Sequence, residues 1–504
     1  MPPERLKPIR GLASDLAVPA DVRAFVDWVA GWTLAGRGMV LRMVLRSARG
    51  LLPEPPVTGL ALSGRVPERM TDARRRVLEA LADGRPRAKA EIAAASGASA
   101  AVISGLVTLG ALVPAPLVAD AEPPRAPTVP VVLGEEQRAA ADALGVMVAA
   151  GGFGAVLLDG VTGSGKTEVF IEAIAATLAA GRQALVLMPE IALTAVVTDR
   201  IAERLGIVAG EWHSGVGDKA RARIWRGAAT GEARVVVGAR SALFLPFRDL
   251  GLVVVDEEHD ASFKQEDGVV YNARDMAVVR ARIGGFPVVL SSATPSVETR
   301  VNAEAGRYAH LRLGRRATGA AMPDVAAIDL RAGAPPAGRF IHDRLAAETD
   351  AALAAGRQAL FFLNRRGYAP LTLCRTCGHR FHCPNCSAWL VDHRLRGRLV
   401  CHHCGHVEPR PAACPSCGAE ESLAACGPGV ERIAEEVAAR WPDRRTLVLS
   451  SDAQGGPELL RRQFRMVADG EADIVVGTQL VAKGFTFPAL ALVGVIDADL
   501  GLAG

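Results

Sequence analysis

The sequence predicts an α/β protein of two parallel-sheet lobes, with a small helical domain ahead of the first lobe and a cysteine-rich module inserted in the second. Three observations carry that prediction. Short aliphatic runs alternate with helix-prone segments between about residues 155 and 290, and again between 359 and 496. A glycine-rich turn, Gly160-Val161-Thr162-Gly163-Ser164-Gly165-Lys166-Thr167, separates the first such run from the helical pattern Glu168 to Leu178. All nine cysteines lie between Cys374 and Cys426.

Taken in order, residues 1–55 read as a linker and two helices. The apolar stretch Phe25 to Leu45 is broken by Asp27, Arg37 and Arg42, so it fits a helix pair on a soluble core better than a membrane span. Residues 56–122 follow a Pro-rich stretch and hold three helical patterns, Ala73 to Leu81, Lys89 to Ala95 and Ser99 to Leu109, then a turn into a strand. This is the order of a winged helix. DNA contact and protein docking are both open for it, because Ala100 to Leu112 contains no basic residue. Residues 130–318 form the first lobe, with strands at Ala155 to Leu158, Ala184 to Met188, Val235 to Val237, Leu252 to Val255 and Val288 to Leu290. The second lobe covers 340–373 and 421–504, with strands at Ala359 to Leu363, Thr446 to Leu449, Ile474 to Val476 and Leu490 to Ile496. The module 374–420 interrupts it.

The net charge of +4 is mild for 504 residues, so overall electrostatics does not by itself indicate a nucleic-acid binder. Only six of the 58 basic residues are lysine, which gives those six more weight than any arginine run. No uncharged apolar run reaches 18 residues and Met1 to Arg10 lacks the apolar core of a signal peptide, so a cytoplasmic protein is expected.

The turn at 160–167 has the composition of a phosphate-binding loop. Its glycines let backbone N–H groups face phosphate oxygens, Lys166 can reach the β and γ phosphates, and the Thr167 hydroxyl can ligate Mg²⁺. Leu252-Val253-Val254-Val255-Asp256-Glu257-Glu258-His259 delivers acids to the end of a hydrophobic strand. There Asp256 would hold Mg²⁺ through its water shell and Glu257 would orient or deprotonate the attacking water, with His259 beside them as a further catalytic candidate. Guanine specificity is not indicated, since no Asn-Lys-x-Asp occurs.

Eight cysteines form four Cys-x-x-Cys pairs, a two-zinc spacing. Trp389-Leu390-Val391 reads as part of a hairpin that would bring the inner pairs together. One ion is then assigned to Cys383, Cys386, Cys401 and Cys404, and the other to Cys374, Cys377, Cys414 and Cys417. His379, His382, His402, His403 and His406 read as exposed polar residues, and Cys426 as a buried thiol.

These motifs, with Pro189 to Thr194, Trp212 to Ser214, Gly238 to Ala242, Ser291-Ser292-Ala293-Thr294-Pro295, Asn364 to Tyr368 and Gly477 to Gly484, resemble the superfamily-two helicases. Within that group the chain is similar to the PriA family of primosomal replication-restart helicases over nearly its whole length. The resemblance implies two RecA-like lobes and supports the same zinc pairing. It also implies ATP-driven 3′-to-5′ unwinding of branched DNA at stalled forks, followed by reloading of the replicative helicase. Expected partners are branched and single-stranded DNA, single-stranded-DNA-binding protein and other primosome proteins, for a nucleoid-associated monomer. By this likeness Gln137 would read adenine, while Arg240, Phe263, Lys264, Tyr271, Arg365, Arg366, Thr478 and Lys483 would contact DNA or couple it to hydrolysis.

The chain departs from the family pattern at Gly134, where Ser or Thr is expected, at Val269-Val270, where a tryptophan is expected nearby, and at Phe485-Thr486, where His or Asp is usual. By the same likeness residues 1–55 would be the remnant of an N-terminal DNA-binding domain, and the chain ends before the family's Gln-x-x-Gly-Arg-x-Gly-Arg motif, which supplies an arginine finger. These 504 residues are therefore expected to bind ATP and zinc but to hydrolyse ATP poorly, within a longer functional protein. A non-catalytic, nucleotide-dependent scaffold for primosome assembly is the competing expectation.

Overall fold

The structure, a computed structural model, describes residues 16–51, 58–116, 131–363 apart from 318, 320–322, 334 and 337–338, and, within 371–498, all but 375, 378, 387–389, 394–396, 402–403, 421–422, 427–429, 450–455, 479–480, 482–486 and 497. By contacts the chain divides into two units: residues 1–159, 166–187 and 199–312 in one, and 160–165, 188–198 and 313–504 in the other.

The first unit is built on a seven-stranded sheet. Its spatial order is Ala309–Leu313, Gly154–Gly160, Pro287–Ser292, Leu250–Asp256, Gln183–Leu187, Val235–Gly238 and Gly210–Trp212. The pairs from Gly154–Gly160 through to Gly210–Trp212 are parallel. Covered faces explain why the central strands read as unbroken aliphatic runs rather than alternating ones. Leu185, Leu187, Val253, Val255, Val288 and Leu290 share one core with the helix Ala273–Gly284. The five strands expected here are present, and the short strands Gly210–Trp212 and Ala309–Leu313 are additional.

Two N-terminal helices, Ala20–Thr33 and Arg37–Val44, belong to this same core. Val22, Phe25, Val26 and Val29 repeat at helical spacing and are fully or almost fully buried. Phe25 meets Phe244 at 5.3 Å between ring centroids, and the Trp225 indole N–H donates to the Val44 carbonyl at 2.7 Å. Arg280 is buried between the Phe25 and Phe247 rings and donates to the Leu243 and Leu245 carbonyls; burial lowers its pKa to about 10. Among the described residues no single helix is long and apolar enough to cross a membrane.

Residues 58–116 hold three short helices, Asp72–Glu79, Lys89–Ser96 and Ala100–Thr108, around Val77, Leu81, Ile92, Ile103 and Leu106. Thr71 caps the first by accepting from the Arg74 N–H at 3.3 Å. An antiparallel ribbon of Thr58–Leu62 and Leu112–Pro116 completes the segment; its first strand was not anticipated from sequence.

The second unit has a four-stranded sheet in the order Thr446–Leu449, Ile474–Gly477, Gln358–Leu363 and Leu490–Ile496, all parallel. Alternate residues feed two cores, Phe361, Ile474 and Val476 on one side and Leu360, Leu449 and Val475 on the other. The cysteine-rich module leaves and returns through the antiparallel strands Leu371–Cys374 and Leu423–Cys426. Inside it Val391–His393, Arg398–Val400 and Val407–Pro409 form a three-stranded meander, which includes the expected hairpin.

Candidate nucleotide and metal sites

The phosphate-loop turn links the buried strand Gly154–Gly160 to the helix Lys166–Ala179. Gly163 and Gly165 take φ of 80° and 81°, a region that favours glycine, and the Ser164 N–H donates to the Val161 carbonyl at 3.0 Å. The chain after Leu313 flanks the turn: the Val161 N–H donates to the Leu313 carbonyl at 3.2 Å and the Ala317 N–H to the Gly163 carbonyl at 2.9 Å. Lys166 and Thr167 open the helix, where orphan N–H groups and the helix dipole favour an anion.

In the first unit Asp256 ends its strand beside Pro287–Ser292 and accepts from the Ser291 hydroxyl at 2.8 Å. Its pKa is raised to about 6, first by burial and then by the Glu257 charge; Ser291 and Lys166 oppose the shift. Glu257 has φ of 47°, one of two positive values at non-glycine positions among the described residues. Backbone in that region is strained for a side chain with a Cβ, and such strain clusters at functional turns.

His259 lies between the acids and the Ser-Ala-Thr segment. Its Nδ1 is 2.8 Å from the Ser292 hydroxyl and 3.5 Å from a Glu257 oxygen, and its Nε2 is 3.5 Å from the Thr294 hydroxyl. Glu258, for which the sequence suggested no role, anchors the turn. Its buried carboxylate accepts from the Ser296 N–H at 2.7 Å, the Ser296 and Thr299 hydroxyls at 2.9 Å each, and Arg274 at 3.4 Å. The visible sequence signal was Ser296-Val297-Glu298-Thr299, a helix start whose capping groups serve a distant acid.

The other expected residues are placed as follows. Phe263 and Tyr271 are buried in the core, with the Tyr271 ring edge-on to Phe244 at 5.3 Å, so neither offers a face to a base, while Lys264 is exposed. Arg240 is half-buried. It donates to the Ser262 and Lys264 carbonyls at 2.9 and 2.8 Å and thereby holds the loop. Thr478 is buried at the end of its strand, and its N–H donates to the Leu449 carbonyl at 3.3 Å. Gln137 is also buried, and its side-chain oxygen accepts from the Gly134 N–H at 2.8 Å; this is the half of a capping box that survives when the cap residue has no side chain. Arg365, Arg366, Lys483, His402, His403, Phe485 and Thr486 lie outside the described residues, as does the side chain of Cys426.

The eight paired cysteines gather into two groups, Cys374, Cys377, Cys414 and Cys417, and Cys383, Cys386, Cys401 and Cys404, with ligand atoms in each group within 4.8 Å of one another. Sulfur separations of 3.6 and 3.8 Å in the first group and 3.4 Å twice in the second are near the edge of a tetrahedron with Zn–S bonds of about 2.3 Å, which is about 3.8 Å. Among the described residues no histidine enters either group; His406 lies 3.4 Å from Glu408.

The phosphate-loop motif, together with an acid-tipped strand beside a hydroxyl-bearing turn in the first unit, is the residue set of a P-loop helicase core. The family profile described as DEAD/DEAH box helicase matches residues 137–302, and that described as PriA DNA helicase Cys-rich region domain matches 383–409. The chain is 46% identical over 345 residues to the replication restart protein PriA of Rickettsia felis, covering 68% of this chain and 53% of that one. It is 40% identical over 376 residues to the PriA protein of Bacillus subtilis, covering 74% and 47%. The solved structure of DUF1998 helicase MrfA bound to DNA aligns with a TM-score of 0.43 and 15% identity over 73% of this chain and 47% of that one. The chain belongs to the PriA family of replication restart proteins and spans about half the length of the curated relatives it matches.

Proposed function

We propose that this chain is the ATP-driven part of a DNA helicase that recognises branched or stalled replication forks, unwinds DNA in the 3′-to-5′ direction and helps reload the replicative helicase. The observation that carries the reading is the first unit's acid cluster. Asp256 and Glu257 end the strand next to the Ser-Ala-Thr turn, and Lys166 is near enough to act on the Asp256 carboxyl.

Lys166 neutralises charge on the β and γ phosphates, and backbone N–H groups of the loop orient them. Thr167 and Asp256 are the groups that would hold Mg²⁺, and the ion when bound screens the phosphate charge. Their fit rests on a hydroxyl at a helix start and a buried carboxylate whose charge calls for a cation. Glu257 orients the attacking water and accepts its proton. His259, within reach of Glu257, Ser292 and Thr294, passes changes at the acid turn to the Ser-Ala-Thr segment. Arg240 ties the loop 261–265 to the same unit, a coupling position. The two thiolate groups would each hold one structural Zn²⁺, which contributes to folding of the module rather than to chemistry. Branched DNA, single-stranded-DNA-binding protein and other primosome proteins are the proposed partners.

ATP turnover with and without forked DNA tests this reading. DNA-stimulated hydrolysis that Lys166→Ala abolishes is expected. Nucleotide binding without any stimulation by DNA would refute it and favour a nucleotide-dependent scaffold.

A further inference from the structure

Gly314 to Ala317 follows the edge strand Ala309–Leu313 and flanks the phosphate loop through the two backbone hydrogen bonds that Leu313 and Ala317 make to Val161 and Gly163. Of the three arginines in this stretch, Arg312 and Arg315 are exposed and Arg316 is half-buried. Arg316 lies against Gly163: a Cβ on that glycine would stand 3.9 Å from the Arg316 Nε and 4.0 Å from its Cγ, which is van der Waals contact. The Nε is shielded from water. Gly163 sits in the middle of the loop whose N–H groups form the phosphate cradle.

We propose that Arg316 is a nucleotide-binding residue, a fixed guanidinium at the phosphate loop that contacts the bound di- or triphosphate. This rests on the phosphate-loop reading above and extends it to a residue about 150 positions away, in a segment with no motif of its own. A half-buried cation beside N–H groups that already concentrate positive potential is stabilised when an anion occupies the loop. The guanidinium also suits the role better than an ammonium, because its planar fork can pack on the glycine and donate to phosphate oxygens at once. The two flanking backbone hydrogen bonds keep the segment in register with the turn, so the side chain is delivered without ordering a free loop.

The test is equilibrium binding of fluorescent Mg-ATP and Mg-ADP analogues to the full chain and to Arg316→Lys, Arg316→Gln and Arg316→Met, each at several salt concentrations. Thermal melts of every variant are run alongside. Arg316→Gln and Arg316→Met are expected to bind both nucleotides about 10- to 100-fold more weakly, with a shallower dependence of affinity on salt. Arg316→Lys, which keeps the charge, is expected to lose the smaller part of the affinity and to keep the salt slope. Wild-type affinity in the Gln and Met variants overturns the proposal. So does a salt dependence in the Gln and Met variants as steep as in wild type, since no charged contact to phosphate would then have been lost. If the unmodified chain binds no Mg-nucleotide, or Lys166→Ala binds like wild type, the failure lies in the phosphate-loop reading itself.

Discussion

Glu258 is the buried acid on which the catalytic turn rests, and replacing it gives the sharpest test of the site's architecture. Its carboxylate accepts three short hydrogen bonds, from the Ser296 N–H and from the hydroxyls of Ser296 and Thr299, and a longer one from Arg274. Glu258→Ala leaves one backbone N–H without its acceptor and opens a cavity. Removing one partner of a buried charged network typically costs about 3 to 5 kcal/mol. The lower end applies here, because Arg274 keeps Asp275 at 2.7 Å and the Ser296 hydroxyl at 2.6 Å, and Ser296 keeps Thr299 at 3.0 Å. Glu258→Gln preserves volume, but its amide nitrogen must face a donor, so a loss of about 1 to 3 kcal/mol is expected. For a unit of about 300 residues, about 3 kcal/mol corresponds to a fall of roughly 5 °C in the first unit's melting transition. Thermal unfolding followed by circular dichroism, with Ala and Gln variants in parallel, measures it. Because the anchor fixes Glu257 and His259, Glu258→Gln is also expected to lower kcat while Mg-ATP affinity stays within about threefold. A Glu258→Ala protein that melts with wild type would refute the anchoring role.

Other outcomes follow from the same packing. Phe25→Ala, which removes a fully buried ring tilted against Phe244, should destabilise the first unit by about 3 to 5 kcal/mol, seen as a shifted urea midpoint; an unchanged midpoint would mean the N-terminal helices are not part of that core. The Tyr271 hydroxyl is buried with no hydrogen-bond partner among the described residues, and burial first raises its pKa to about 12. The folded value lies above the unfolded value of about 10, so this group's stability is fully present below pH 10 and is lost as pH rises toward 12. Tyr271→Phe should therefore flatten the alkaline arm of the stability profile and add about 1 kcal/mol at pH 7; a loss at pH 7 would show that the hydroxyl has a partner. Metal analysis should find two zinc ions per chain, with Cys401→Ser and Cys414→Ser each releasing a different one, and chelation should unfold the module. A variant that released both ions would contradict two independent sites.

Much of the site was legible along the chain because its chemistry is contiguous. The phosphate loop needs eight consecutive residues between a strand and a helix, and the acid turn needs one hydrophobic run ending in Asp256 and Glu257. The cysteine grouping was legible too, since a short hairpin between Cys386 and Cys401 leaves the outer pairs to meet each other. What a residue does when its partner is distant was not. Phe263 and Tyr271 look the same in sequence whether they face solvent or a core, and their burial depends on Phe244 and the elements packed around it. Glu258 could not be told from its neighbour Glu257, yet one is an anchor among Ser296, Thr299 and Arg274 and the other sits at the reacting turn.

Sequence alone therefore determined the order of the phosphate-loop, acid-strand and cysteine motifs, because backbone geometry and ligand spacing are local. The tertiary structure alone decided which aromatics are core, that Ala20–Thr33 packs with the first sheet, and that Arg240 and Glu258 hold turns rather than ligands. Burial and hydrogen-bond satisfaction are properties of neighbours brought together from far along the chain, and no local pattern specifies which neighbour will be there.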